Sequence, residues 1–361
     1  MRVGIDLRLY SYRPAGIATY ALNLARALLR RSADLELVVY QSRKTRTPLL
    51  EATTQILFTP CHHRYEQLGL AVELLRAPID LLHSPDFIPP FWRRFRSVIS
   101  VHDLAFHFYP QFTTAESRRY YGQLPRALAS ADAILVDAEA TRRDLATEFD
   151  VPPERVDVIP LAPDPAFRPL PREQVEAFFQ ERKLPLGAIF WVGTFEGRKN
   201  LSGLLRAYAR LPEAPPLLLA GRPGWQSLPL PEAIAQLGLT QRVQFVWGPS
   251  QEELVYLYNG AALFVFPSLY EGFGFPVLEA MACGTPVVSS NAGSLAEVCG
   301  EGGLQVDPQD EEALANAIEA VLSSPTLAAD LRQRGFAQVA RFSWERCAEE
   351  TLAVYRRVVG R

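Results

Sequence analysis

The chain predicts two Rossmann-like α/β domains in tandem, each built on a parallel sheet. Three observations carry that expectation. Short apolar, β-branched runs alternate with helix-period patterns along the whole length, as a parallel sheet with covering helices requires. The strand, glycine loop and helix of RVGIDLRLYSYRPAGIATYALNLARALL, from residue 2, return as AIFWVGTFEGRKNLSGLLRAYARL from residue 188. A length of 361 residues exceeds one ordinary core, and 48% apolar residues suffice for two.

In the first part, strands are expected at 2–6, 35–40, 55–59, 79–83, 97–101, 133–137 and 156–159. In the second they are expected at 188–193, 216–220, 243–247, 262–266, 286–289 and 303–306. Residues 16–30 read as an amphipathic helix with Ile17, Tyr20, Ala21, Leu24 and Leu28 on one face. The second part repeats this with Leu201, Leu204, Leu205 and Tyr208, and Asn200 as N-cap. The two openings share no residue-level repeat, so the similarity is architectural.

The break between domains is expected in IPLAPDPAFRPLPRE, where Pro160, Pro163, Pro165, Pro169 and Pro171 interrupt any regular element. This gives domains 1–165 and 166–343, with parallel sheets facing a central cleft. Ligands of open α/β sheets bind outside the carboxyl ends of the strands. A second proline-rich stretch, GRPGWQSLPLPEA at 221–233, is expected as a loop on the rim of the second domain.

Composition narrows the function classes. The net charge is −3, with 37 Lys+Arg against 40 Asp+Glu and no markedly basic half, which argues against nucleic acid as a partner. Cys61, Cys283, Cys299 and Cys347 show neither close pairing nor a metal-ligand spacing, so reduced thiols are expected. MRVGIDLRLY begins as a strand without a signal-peptide core, and no apolar run reaches transmembrane length. A soluble, cytoplasmic protein is the expectation. Lys44, Lys183 and Lys199 are the only lysines, which draws notice to Lys199 within GRKN.

The stretch SLYEGFGFPVLEAMACGTPVV, residues 268–288, has strong local punctuation. Pro276 suits the first residue of a helix, Gly284 suits its end, and Pro286 prevents its continuation. Loop amides from Gly272 to Phe275 at a helix N-terminus make a ready anion site. Yet the stretch is not a dinucleotide fingerprint, because Val277 stands where the third glycine belongs. Instead Glu279, expected in the first helical turn, can accept hydrogen bonds from two vicinal hydroxyls such as those of a ribose. Glu271 can serve a second polyol. The alternative is that Glu279 complements the helix dipole and Glu271 is a solvated loop residue.

In GTFEGRKN, Arg198 and Lys199 precede another helix at the carboxyl end of a strand. Two fixed cations there suit a diphosphate whose charge grows as it leaves. A solvated basic loop is the competing reading. Gly16, where the first loop meets its helix, lets backbone approach a ligand, or serves its turn alone. His102 and Asp103 in VHDLAFH end strand 97–101, and all five histidines fall in the first part. No Walker loop, HExxH or Asp-x-Asp pattern is present, so no metal site is expected and protein cations must meet any diphosphate. FWRRFR at 91–96 mixes aromatics with arginines, as a surface loop or as a docking point on an anionic membrane.

Most of the chain resembles the retaining glycosyltransferases of family four, which have the GT-B fold. The residues that carry the resemblance are AGIATY, VHDLAF, AILVDAEATRRDL, VPPERVDVIPLAPDPAF, VGTFEGRKN and FPSLYEGFGFPVLEAMACGTPVVSSNAGSLAEVCGEGGLQVDP. The last holds the family's E-x7-E motif as Glu271 and Glu279. The resemblance implies that Glu279 holds the donor ribose and Glu271 lies by the transferred sugar. It also implies that Phe273, Gly274 and Phe275 present amides to sugar or phosphate, and that Arg198 and Lys199 grip the diphosphate. Gly16 would approach the donor from the first domain, and His102 would lie near sugar and acceptor.

Three departures stand out. Thr194 sits where many members have arginine, GIATY replaces a double glycine, and DAEAT stands where a serine is common. In this fold the final helix often returns to the first domain, and 344–361 is the candidate. The resemblance implies retaining, metal-independent transfer of a hexose, first mannose from GDP-mannose, to a glycan or lipid-linked acceptor. Peripheral contact with the inner face of a membrane stays open. A UDP-hexose donor, a sugar-nucleotide epimerase or a non-catalytic sugar-nucleotide-binding subunit are the alternatives.

Overall fold

The computed structural model describes residues 1–12, 16–31, 34–45, 47–224 and 230–360. They form two units: Met1–Leu161 with Ser343–Arg361, and Ala162–Phe342. The sequence places the break at 165; the chain changes unit four positions earlier, after Leu161, within the proline-rich stretch.

The first unit is built on β1 (Arg2–Asp6), β2 (Glu36–Ser42), β3 (Thr53–Leu57), β4 (Leu81–Ser84), β5 (Arg96–Val101), β6 (Ala133–Val136) and β7 (Val156–Val158). They lie side by side in the order β3-β2-β1-β4-β5-β6-β7. The second unit has β8 (Ile189–Phe195), β9 (Leu217–Pro223), β10 (Val243–Trp247), β11 (Leu263–Phe266), β12 (Val287–Ser290) and β13 (Leu304–Val306). Their order is β10-β9-β8-β11-β12-β13. All these pairings are parallel. Central strands are apolar on both faces, as helices on either side demand: Val3, Ile5, Val38, Val39, Phe264 and Val265 are fully buried.

Each predicted strand overlaps an observed one, with three local differences. β8 does not stop at Gly193 but runs on to Phe195. Gly221, Arg222 and Pro223 belong to the end of β9, so the expected rim loop starts later. Its residues 225–229 lie outside the described residues. Asn200 does occupy the N-cap position of the helix Leu201–Ala209, but in a left-handed conformation and without a side-chain cap. Its amide instead donates to the Pro308 carbonyl at 2.5 Å.

In both sheets the strand order starts in the middle, runs to one edge, and then resumes on the other side. The switch lies between β1 and β4 in the first unit, and between β8 and β11 in the second. Loops diverge there, leaving a crevice at the strand ends where ligands bind.

The closing helix Trp344–Val359 is capped by Ser343, whose side chain accepts from the Arg346 amide. Its buried face packs against the helix Gly16–Arg31 of the first unit. A polar chain runs through this contact. Tyr355 Oη lies 2.6 Å from His83 Nδ1, His83 Nε2 lies 2.8 Å from Ser100 Oγ, and Ser100 Oγ lies 2.8 Å from Tyr20 Oη. Burial, with the charge of His102, lowers the His83 pKa to about 3, so the ring is neutral. A neutral imidazole donates at one nitrogen and accepts at the other, and the flanking hydroxyls can match either tautomer. Tyr355→Phe therefore strands one nitrogen in the core. It should lower the unfolding free energy by about 1–3 kcal/mol in a urea titration, whereas an unchanged midpoint would show that the chain does not hold the closing helix.

Candidate active site

Both loops that leave the switch point of the second sheet carry predicted site residues. After β8, Glu196 is extended, Gly197–Lys199 makes a short 3-10 turn, and Asn200 redirects the chain into its helix. After β11, residues 267–274 lead to the helix Phe275–Ala282. Gly274 sits at φ +114°, and a Cβ there would stand 2.6 Å from Leu295 Cδ2, so both conformation and space demand glycine.

The two loops are stitched together. The Leu269 amide donates to the Arg198 carbonyl at 2.8 Å. Ser290 Oγ donates to the Ser268 carbonyl at 2.6 Å. Ser294 Oγ reaches the carbonyls of Glu271 and Phe273 at 2.7 and 3.1 Å. The amides of Phe273, Gly274 and Phe275 donate to no group among the described residues. They remain available at the helix N-terminus.

Within this frame Glu271 bridges the two expected cations. Lys199 Nζ lies 2.6 Å from Glu271 Oε1, and Arg198 Nη1 lies 3.2 Å from Oε2. Arg198 also donates to Glu196 Oε2 at 3.3 Å and to the Tyr270 carbonyl at 3.3 Å. Lys199 and Glu271 are 8% and 9% exposed, so neither is the solvated loop residue of the alternative reading. Burial would raise the Glu271 pKa, but the charges of Lys199 and Arg198 outweigh it and hold the carboxyl below its usual range. Burial, then the charge of Arg198, lowers the pKa of Lys199 despite Glu271. Two cations thus share the Glu271 carboxylate, with Glu196 a second partner of Arg198, and an entering dianion can compete for both cations.

Glu279 stands apart from this cluster. It is the fifth residue of the helix Phe275–Ala282 and lies past the first turn in which it was expected, because Phe275 and not Pro276 opens the helix. Tyr258 Oη donates to Glu279 Oε2 at 2.9 Å. Burial raises the Glu279 pKa to about 7; Tyr258 opposes the rise, and Asp164 adds to it. A carboxylate with one oxygen anchored and few counter-charges suits neutral hydroxyl donors better than phosphate.

The other two predicted residues belong to the first unit. Gly16 opens its helix exposed, with nothing within 4 Å of where a Cβ would sit. His102 follows β5 and is buried, with Nδ1 2.7 Å from Asp137 Oδ2 and Nε2 2.9 Å from the Pro85 carbonyl. Both neighbours are acceptors. Burial opposes a charged ring, but Asp137 and these bonds prevail and raise the His102 pKa. A hydroxyl that reaches either nitrogen has to displace one of those partners.

Four supporting residues escaped the sequence reading. Asp137, at the end of β6, has a signal: it follows a strand adjacent in space to the one preceding His102. Glu196 lies within the quoted basic turn. Ser294 and Tyr258 have none, because they reach Glu271 and Glu279 from separate helices. Among the described residues, no group of three or more His, Cys, Asp or Glu is arranged to hold a metal ion.

Comparison with known proteins places the chain in a family. The family described as Glycosyl transferases group 1 matches residues 175–338, and that described as Glycosyltransferase Family 4 matches residues 14–167. The chain is 36% identical over 284 residues to the O-antigen chain mannosyltransferase B of Escherichia coli, across 76% of this chain and 74% of that protein. It is 34% identical over 253 residues to the MMP alpha-(1->4)-mannosyltransferase of Mycolicibacterium hassiacum, across 68% and 59%. Among solved structures, sucrose-phosphate synthase from Thermosynechococcus elongatus matches with a TM-score of 0.81 at 24% identity, over 100% and 99% of the two chains. Anabaena HepE in complex with UDP and glucose matches at 0.79 and 20%, over 98% and 99%. At these identities the two structures speak to fold alone.

The raised pKa of Glu279 has a consequence for stability. Its folded value, about 7, exceeds the ordinary 4.5, so the folded chain holds this proton more tightly than the unfolded chain. The resulting stabilisation is complete below about pH 4.5 and is lost as pH rises through about 7. Glu279→Gln cannot ionise, so its stability advantage over the parent protein should grow between about pH 5 and pH 8, to on the order of 2 kcal/mol. Melting temperatures across that range test this, and a pH-independent difference would contradict it.

Proposed function

The chain belongs to the group 1 glycosyltransferases and has the GT-B fold, and on that premise we propose that it transfers a hexose from a nucleoside diphosphate sugar to a glycan or lipid-linked acceptor. The transfer retains anomeric configuration and uses no metal. One observation carries this reading: Arg198, Lys199 and the uncommitted amides of Phe273 to Phe275 lie at one switch point, and Glu279 stands one turn along the helix that those amides open.

In this account Glu279 accepts the ribose hydroxyls, Arg198 and Lys199 receive the diphosphate, and Glu271 positions the sugar without attacking it. As the bond from the anomeric carbon to the diphosphate oxygen breaks, the two cations neutralise the leaving oxygens. The acceptor hydroxyl attacks from the same face and gives its proton to the departing phosphate oxygen. The nucleoside diphosphate sugar and the acceptor hydroxyl thus become a glycoside and the free nucleoside diphosphate. Gly16 and His102 enter the same reading as groups that meet donor and acceptor.

Mannose is the first transferred sugar, supported by the mannosyltransferases among the relatives, and GDP-mannose is the donor proposed for it. A thermal-shift screen of GDP, UDP, ADP and their hexose conjugates tests the proposal. GDP and GDP-mannose should raise the melting temperature most, and GDP should be released from GDP-mannose only when an acceptor is present. A larger shift with UDP would move the donor to a UDP-hexose. Binding without turnover across an acceptor panel would replace the enzyme by a sugar-nucleotide-binding subunit.

A further inference from the structure

The switch point of the first sheet, between β1 and β4, carries a hollow of its own. About 420 Å³ of empty space, part of it continuous with solvent, lies between the turn after β1, the first turns of the helix Gly16–Arg31 and the loop after β4. Ile17 and Tyr120 give it apolar walls, and Asp6, Glu66 and Asp86 supply acids. Arg8 is the only cation among the described residues that line it. That guanidinium is buried and held at every nitrogen. Nε donates to both oxygens of Asp6 at 3.0 and 3.1 Å, Nη2 to Asp6 and Glu66 at 2.8 Å each, and Nη1 to the Thr59 carbonyl at 2.8 Å. His62 pairs with Asp86, and even a protonated ring leaves three acids against two cations. The hollow is negative.

Asp86 differs from the other two acids. Asp6 receives Arg8 on both oxygens, and Glu66 receives Arg8 on Oε1 and the His62 amide on Oε2 at 2.7 Å. Asp86 Oδ2 meets His62 Nε2, but Oδ1 is buried with no partner among the described residues. An oxygen so placed destabilises the chain until a donor reaches it. The Asp86 side chain keeps 14% of its surface open, so a modest turn of the carboxylate presents Oδ1 to the hollow. The backbone on either side is strained. His62 and Phe87 have φ of +62° and +27°, whereas the other non-glycine residues of positive φ among the described residues, Asp150, Lys183 and Asn200, end helices. That conformation is ordinary at a helix end; elsewhere it gathers at ligand sites.

We propose that this hollow receives the terminal sugar of an uncharged saccharide acceptor, whose hydroxyls donate to the Asp86 carboxylate. The assignment rests on the sugar transfer proposed above, which needs an acceptor hydroxyl. Charge selects the occupant. Hydroxyls are donors that a carboxylate can receive, and the carbon face of a sugar ring can pack on Ile17 and Tyr120. A phosphate or carboxylate on the sugar would instead meet three acids and a cation already held by two of them. The charge that admits a polyol therefore turns anionic sugars away. Tyr120 braces the reader: its ring lies 4.0 Å from that of His62, and its hydroxyl donates to the Asp86 carbonyl at 3.1 Å.

Titration of the whole chain with methyl glycosides, followed by saturation-transfer NMR, tests the proposal. Methyl α-mannoside, α-glucoside and α-galactoside are compared with the same three sugars phosphorylated at C6. At least one uncharged glycoside should bind, roughly tenfold or more tighter than its phosphate. Asp86→Asn keeps the shape of the side chain and removes its charge. It should weaken the uncharged glycoside about tenfold and its phosphate less, while nucleotides raise the melting temperature as in the parent. Ile17→Trp, which fills the hollow and leaves its acids in place, should weaken all the glycosides and carries the test if the asparagine variant does not fold. Failure of every uncharged glycoside to bind, tighter binding of the phosphates, or equal losses for both classes in Asp86→Asn would overturn the proposal. The titration needs no turnover, so a chain that binds the sugar here but transfers none contradicts the transfer and not the sugar site.

Discussion

One carboxylate, shared between two cations in a nearly dry site, organises the second unit. Glu271 meets Lys199 through one oxygen and Arg198 through the other, and neither Lys199 nor Glu271 is open to water. Charges so placed are stabilising only as a set, because removing one member leaves the others buried and unpaired, typically at about 3–5 kcal/mol. The set also ties the turn after β8 to the loop after β11, and the Leu269 amide and Ser294 hydroxyl fix that loop from both ends. Glu271 therefore has a conformational part as well as the part proposed toward the sugar. It keeps two cations at one strand end.

The remaining polar groups divide by the charge of what they can receive. Free amides at the helix start, with Arg198 and Lys199, favour an anion. Glu279, anchored by Tyr258 and raised toward neutrality by burial, favours hydroxyls. The pair of glutamates eight positions apart is thus two different groups, one charged and clamped, the other poised to lose or gain a proton. His102 follows a third logic. Its ring is held between Asp137 and the Pro85 carbonyl and edge-on to Tyr20 at 4.7 Å, so its place is fixed before any ligand arrives.

The sheets were legible because apolar period and turn residues are local signals: every strand from β1 to β13 could be placed within a few residues. The E-x7-E stretch and GRKN were legible as chemistry, since glycine, proline and paired charges punctuate them. What escaped depends on tertiary partners. Tyr258 reaches Glu279 from a helix twenty-one positions earlier, and no spacing within the motif points to it. The sequence could suggest Arg198 and Lys199 for a diphosphate and Glu271 for a sugar, but not that the three would pair with one another. Asn200 has the residue type of an N-cap, yet left-handed backbone geometry at the end of the basic turn diverts its side chain to Pro308. Asp6, Glu66 and Asp86 went unread as a group because they lie on separate stretches of chain, and only the fold gathers them around one hollow.

The central claim is that the cations act on the leaving diphosphate while Glu279 acts on the ribose. Steady-state kinetics of Lys199→Ala and Glu279→Ala, with the donor identified, test it most directly. Lys199→Ala should lower kcat by about 100-fold or more with little change in KM for the donor. Glu279→Ala should raise that KM while leaving kcat within a few-fold of the parent. Small and equal effects on both parameters in both variants would contradict the account.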